Sequence, residues 1–244
     1  TSSVHNAMIT YCEVTREKSV FAILDPPSAV SATAMITYVK TTAAISELTE
    51  SAAIYWPRVK ISNPKKSIYG LADQITVPPS GHIAGVFSRV DNARPGGIYD
   101  PPAGPDVAAL FGVLDFETTE TLDEEKRDLV FPERINPLTT YKGGPRFIDG
   151  ARCLKSTSNF PTVAQRRGAS KIEKELKTAS QVFRHKNNTK TLRAAITRTF
   201  QSYLLGQMSF GAFKTTDPTT AFFVDFGDAL NPANAPNTIT GRVG

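Results

Sequence analysis

Two cysteines, three histidines and one tryptophan in 244 residues leave little material for several kinds of chemistry. Cys12 and Cys153 lie far apart and match no metal or redox spacing, so neither a disulfide framework nor a cysteine zinc site is expected. Both read as ordinary reduced residues. His5, His82 and His185 form no HExxH pattern and sit near no cysteine pair, which removes support for a histidine metal site. His185 falls inside a basic stretch and reads as solvated. A GxSxG nucleophile elbow, a GxxxxGK(S/T) phosphate loop and a GxGxxG turn are all missing, so an α/β hydrolase lacks its nucleophile motif. KGGPRF, around Gly143 and Gly144, lacks the full phosphate-loop pattern and reads as a turn. Neighbouring acids such as Glu124 and Glu125 point apart on a helix, a poor geometry for paired acid and base work. No enzyme activity, no catalytic residue, no cofactor and no metal ligand are therefore expected. Nor does any run approach the roughly 20 apolar residues that cross a bilayer. The opening TSSVHNAMITYCEV has no basic stretch followed by an apolar one, so neither a membrane span nor a signal peptide is expected. The chain starts at Thr1 rather than Met and reads as a processed product or a piece of something longer.

What is present is a globular composition, 40% hydrophobic and 21% charged, enough to build a core in one large domain or two small ones. The net charge of +5 is unremarkable in size but uneven in placement. Between Thr162 and Arg198 stand ten Lys or Arg, namely Arg166, Arg167, Lys171, Lys174, Lys177, Arg184, Lys186, Lys190, Arg193 and Arg198, against Glu173 and Glu175. That surplus of eight leaves the rest of the chain at −3. Between Asp115 and Glu133, eight acids, among them Glu120, Asp123, Glu124, Glu125 and Asp128, face only Lys126 and Arg127. A basic pole and an acidic pole suit subunits that stack on copies of themselves or on an oppositely charged partner.

Helix, strand, helix, strand is the grammar of the first third: a helix ending near HNAMITYCEV, a buried strand from Val20 to Leu24, a helix within Ala29 to Ser51, and a strand from Ile54 to Ile61. Pro57 argues for an edge or a bulge in that last strand. The order predicts an α/β fold with a layered mixed sheet flanked by helices. Asn63 to Pro105 reads as loops interrupted by one helix opening near Ser80, and Phe147 and Ile148 as a short strand between glycine turns. Further on, Ile172, Leu176, Ala179 and Phe183 share one helical face, and Leu192, Ala195, Ile196, Thr199, Phe200 and Tyr203 another. Both stripes read as core. The second helix takes Asn188 or Thr189 as N-cap and Gly206 as its stop. Thr220 to Phe226 reads as a final strand and the tail from Asn231 as irregular.

Six strings occur in one order: CEVTREKSVFAILDPP, AIYWPRVKI, VPPSGHIAGVFSRVD, GGIYDPPAGPDVAAL, ERINPLTTYKGGPRFIDGARCL and YLLGQMSFGAF. Together they resemble the core of contractile tail sheath proteins of contractile-tailed phages, R-type pyocins and related injection systems, across nearly all of the chain. The most specific piece is PPSGHIAGVFSRVD followed by PPAG. The departures are Tyr99 and Ile148 or Asp149 where the family often has Trp, and a first C-terminal helix, TVAQRRGASKIEKEL, less apolar than usual. Gly168 within it costs about 1 kcal/mol relative to Ala. The family's chain also begins before a segment like HNAMITYCEV and continues past one like NTITGRVG, so 1–244 is expected to be one core domain from inside a longer subunit, without its terminal arms.

The resemblance implies a structural subunit that forms hexameric rings, stacked helically around an inner tail tube and linked by strands added to a neighbour's sheet. Contraction of that sheath drives the tube through a target cell envelope. Partners would be other copies, the tube, and baseplate and tail terminator proteins, in a virion tail or injection particle assembled in the bacterial host cytoplasm. Arg166, Arg167, Lys171, Lys174, Lys177, Lys190, Arg193 and Arg198 are then candidates for a basic face toward the tube or a neighbouring subunit, with Asp123, Glu124, Glu125 and Asp128 as acidic counterparts. The other class open to the same charges is a nucleic-acid-binding module built on the helices of 162–205. Few aromatics for stacking and no reading helix weigh against it.

Overall fold

A computed structural model describes residues 2–68, 70–93, 97–118, 123–140, 144–232 and 238–244, so Glu120 and Gly143 lie outside the described residues. The chain divides into two compact units, Thr1–Ser170 and Lys171–Gly244.

The first unit is built on β1 (Ala22–Leu24), β2 (Ala52–Trp56), β6 (Ile135–Thr140) and β7 (Arg146–Ile148), side by side in the order β1-β2-β6-β7. β1 and β6 run parallel to β2 and β7 runs antiparallel to β6, so the sheet is mixed, as predicted. Period-two alternation divides β2 between two cores. Ala52, Ile54 and Trp56 join Ile9 of α1 (Ser2–Thr10), Met35 of α2 (Ala32–Thr37) and Val130 of α4 (Glu124–Val130). Ala53 and Tyr55 join Ile83, Val86, Phe87 and Val90 of α3 (Ser80–Ala93), together with Val163 at the start of α5 (Val163–Ser180). Helix starts follow side-chain chemistry: Ser31 accepts from the Ala34 N–H, Asp123 from that of Lys126, and Asp25 from both the N–H and hydroxyl of Ser80.

Three readings of this unit change. The helix expected within Ala29 to Ser51 covers only Ala32–Thr37 plus a wider turn, Tyr38–Thr42. Positive φ at Ala44 and Glu47 carries the chain out of helix, and Ala43 and Ile45 reach the core from irregular backbone. The strand read from Ile54 to Ile61 is two strands in different sheets. Pro57, whose nitrogen donates no hydrogen bond, marks the joint between β2, paired on both sides, and β3 (Val59–Ser62). β3 is the middle of a second sheet, flanked antiparallel by β4 (Gln74–Val77) and β5 (Val113–Phe116), and β4 lies where only loop was read. Gly168, an expected weakness of α5, has a packing reason. A Cβ there would stand 2.7 Å from the Tyr99 ring.

The second unit holds the rest of α5, then α6 (Lys190–Ser209), α7 (Pro218–Ala221), β8 (Val224–Asp225) and β9 (Arg242–Val243). Thr189 caps α6, accepting from the Leu192 N–H at 3.1 Å. The helix runs through Gly206 and ends instead before Gly211, whose φ of 85° allows the left-handed turn that stops it. Of the stripe read as core on α6, Ile196 and Phe200 are buried, joined by Leu204, while Leu192 and Tyr203 are half-buried and Ala195 and Thr199 exposed; on α5, Ile172, Leu176, Ala179 and Phe183 are half-buried rather than core. The strand expected over Thr220 to Phe226 is shortened by α7, which Asp217 and Pro218 start. The tail is more ordered than read: β9 pairs antiparallel with β8, and Asn231 holds Thr240 through two 2.8 Å bonds.

Candidate assembly surface

Several of the basic residues do not form a surface at all. Arg166 is 3% exposed, and its guanidinium donates to Glu50 at 3.0 Å. Glu50 also accepts from Lys18 at 3.1 Å and from the Ser158 hydroxyl. Burial alone would push the Glu50 carboxyl up, but the hydrogen bonds from Lys18 and Arg166 outweigh it and hold its pKa below the ordinary value. Arg167 forms a two-pronged pair with Asp91 and lies over the Phe87 ring, 4.5 Å from its centroid. Both arginines therefore tie the start of α5 into the first unit. The expectation that they face a tube or a neighbour is corrected, because their charge is already spent inside the fold.

Arg193 is corrected for the same reason. It is 8% exposed and donates to Asp228 and to Asn188 Oδ1 at 2.5 Å. Asp228 also pairs with Lys190 at 3.0 Å, and the hydrogen bond from Lys190, with the Arg193 charge, keeps its carboxyl below the usual range. Asn188 in turn donates to the Thr238 carbonyl at 2.7 Å, so the start of α6 clasps the chain just before β9. What remains outward is Lys174, Lys177, Arg184, Lys186, Lys190 and Arg198, all exposed, with Lys171 half-buried. The nucleic-acid reading of 162–205 loses the same three arginines.

The acidic run is dispersed along the fold. Asp115 pairs with Lys60, Glu117 accepts from the Ala29 N–H, and Glu133 pairs with Lys40. Asp123, Glu124, Glu125 and Asp128 stay together and exposed at α4, where Arg127 bridges Glu124 and Asp128 at 3.4 and 3.1 Å. Leu129 is 42% exposed beside them. Glu50, Asp91 and Asp228, the acids that matter most to the basic stretch, were missed. They stand 116, 76 and 35 residues from their arginines, a range at which no local spacing rule operates.

The two cysteines are free and buried, and burial pushes the Cys153 thiol up to about 12, which leaves it inert. Among the described residues, no group of three His, Cys, Asp or Glu is placed to hold a metal, and no helix is long and apolar enough to cross a membrane.

No protein-family model and no curated protein sequence matches the chain. Solved structures do. A chain of an extracellular contractile injection system, the PVC sheath complex in its contracted state, superposes with a TM-score of 0.75 at 22% identity over 92% of this chain and 59% of that one. The contracted helical sheath of the anti-feeding prophage gives 0.71 at 20% identity over 95% and 68%. The chain has the contractile-sheath fold. A six-fold symmetrised baseplate structure of the same prophage gives 0.76 at 20% identity over 96% and 58%. Against the first and third of these, the chain spans about three fifths of the neighbour's length.

Proposed function

We propose that the chain is a structural subunit of a contractile tail sheath, polymerising in rings of six around a rigid inner tube and shortening to drive that tube through a cell envelope. The observation that carries this reading is the superposition on a helical sheath over 95% of the chain at a TM-score of 0.71. Its partners are other copies, a tube protein, and baseplate and terminator proteins, within a virion tail or injection particle assembled in the host cytoplasm. No bond is made or broken in such work, so no catalytic role is assigned.

The free charges fit the task. Lys174 and Lys177 on α5, together with Arg184 and Lys186, form an outward basic set suited to a tube of opposite charge. Each exposed ion pair is worth about 0–1 kcal/mol, weak enough to break on firing yet cumulative when repeated ring after ring. Among the described residues the short β8–β9 ribbon has two strands, and an arm of another copy can add a further strand to it. Main-chain bonds of that kind survive a change of subunit orientation, so a lattice can rearrange without falling apart.

Electron microscopy of the full-length protein, expressed with and without its tube, tests the reading. Hollow tubules are expected, and only isolated particles in both conditions would refute it. Lys174→Glu with Lys177→Glu should leave the fold intact, weaken retention of the tube and make tails fire prematurely. Unchanged tails would remove these residues from the tube face.

A further inference from the structure

α1 carries no charged side chain, and of its nine residues the fully buried ones are His5 and Ile9, at 6% and 4% exposure. One aliphatic side chain and one titratable ring therefore make up its buried face. The His5 imidazole stands edge-on to Tyr38, with ring centroids 5.8 Å apart, planes at 85° and Nδ1 3.0 Å from the Tyr38 hydroxyl. The neighbouring Asn6 amide donates to the Ala43 carbonyl at 3.1 Å. These two contacts tie the front of α1 to the segment that follows α2. The far end is fastened differently. Beyond α1, the wider turn Tyr11–Thr15 is anchored through Glu13, which accepts from the Thr49 hydroxyl and pairs with Lys18 at 3.6 Å. The Lys18 N–H also donates to the Cys12 carbonyl at 2.8 Å.

We propose that His5 is an acid-released latch: protonating its imidazole frees the front of α1 from Tyr38 and Ala43, and the helix swings out about its anchored tail at Tyr11–Thr15. The surroundings do little for a positive charge. Asp25, just past β1, is the acid on that side, and its two oxygens already accept from the Ser80 N–H and hydroxyl at 2.9 and 2.8 Å. Lys40, on the turn that carries Tyr38, is engaged with Glu133 at 2.7 Å, and Glu13 with Lys18. Among the described residues no carboxylate lies within ion-pair distance of His5, so a buried imidazolium loses hydration that nothing replaces. Burial lowers the His5 pKa below its ordinary value against the pull of Asp25, and the positive amino group ahead of α1 adds to the lowering. Once released, the ring is hydrated and titrates near its ordinary value of about 6.5. Closure is thus fully favoured above about pH 6.5 and is lost as the pH falls through the lower folded value. That window is separate from the one set by Glu50, whose contribution is lost only below about pH 4.3. The latch works within one copy and does not depend on sheath assembly.

Amide hydrogen exchange of the full chain at about pH 7.5 and about pH 5, read by mass spectrometry and expressed as protection so that the chemical exchange rate cancels, tests the latch. Protection across α1 is expected to fall about tenfold at the lower pH while β2 keeps its own. His5→Phe keeps a buried ring without a titrating nitrogen, so its α1 protection should no longer respond to pH. Proton NMR titration of the wild-type imidazoles supplies a second arm that needs no variant. His5 is expected to titrate at lower pH than half-buried His82 and exposed His185. Four results would each overturn the proposal: α1 protection equal at the two pH values, protection lost equally in β2, a pH response that survives His5→Phe, or a His5 that titrates with or above the other two histidines.

Discussion

Residues 2–170 and 171–244 use the same amino acids for opposite ends. In the first unit, Trp56, Tyr55, Phe147 and Leu24 are each exposed by 1% or less, and even its basic side chains at the start of α5 are turned inward to Glu50 and Asp91. In the second, the described buried apolar side chains are Ile196, Phe200 and Leu204, all on α6, while Leu205, Phe210 and Phe223 stay open to solvent. Charge placed under packed aromatics becomes architecture; charge on a helix with a thin core stays available to others.

The sharpest way to break that contrast is to cut each core. Trp56→Ala removes a ring that is 1% exposed, with its indole N–H on the Val30 carbonyl, and should cost about 3–5 kcal/mol in chemical denaturation. Phe200→Ala, which loses an edge-to-face contact with Phe226, should speed amide exchange along α6 while leaving β2 protected. Equal acceleration in both units would erase the distinction.

Next in size is the inward charge. Arg166→Ala should cost about 3 kcal/mol, because it leaves the Glu50 carboxylate buried with Lys18 as its remaining cation. The pH dependence has a definite sign. Glu50 has a folded pKa below its unfolded value of about 4.3, so its contribution is present above that pH and is lost as pH falls through the folded value. Melting temperatures should therefore drop on acidification in the wild type, and drop less steeply in Arg166→Ala.

Smallest is Gly168→Ala, where helix propensity gains about 1 kcal/mol but the new methyl meets the Tyr99 ring. A net loss of about 1–2 kcal/mol is expected, turning into a gain when Tyr99→Ala is added. A gain in the Tyr99 background alone would tie this glycine to packing.

Local pattern made a helix legible where a single apolar stripe faces a single core, as on α3, and made β1 legible as a short apolar run before Pro26 and Pro27. It failed where pairing at long range decides. β4 becomes a strand because β3 lies beside it, and β9 because β8 does. The basic face was half legible for the same reason. The Lys174 and Lys177 side of α5 follows from helical spacing, but nothing near Arg166 in sequence announces Glu50.

β2 touches both cores of the first unit, and its parallel neighbours grip it along both edges. A pull along its axis loads the bonds to β1 and β6 together in shear, so they must yield as a group, unlike a hairpin that unzips one bond at a time. Trp56 on one face and Tyr55 on the other key the strand against sliding. In the proposed sheath subunit, these five residues would be a short beam through which force applied at one face of the sheet reaches the other.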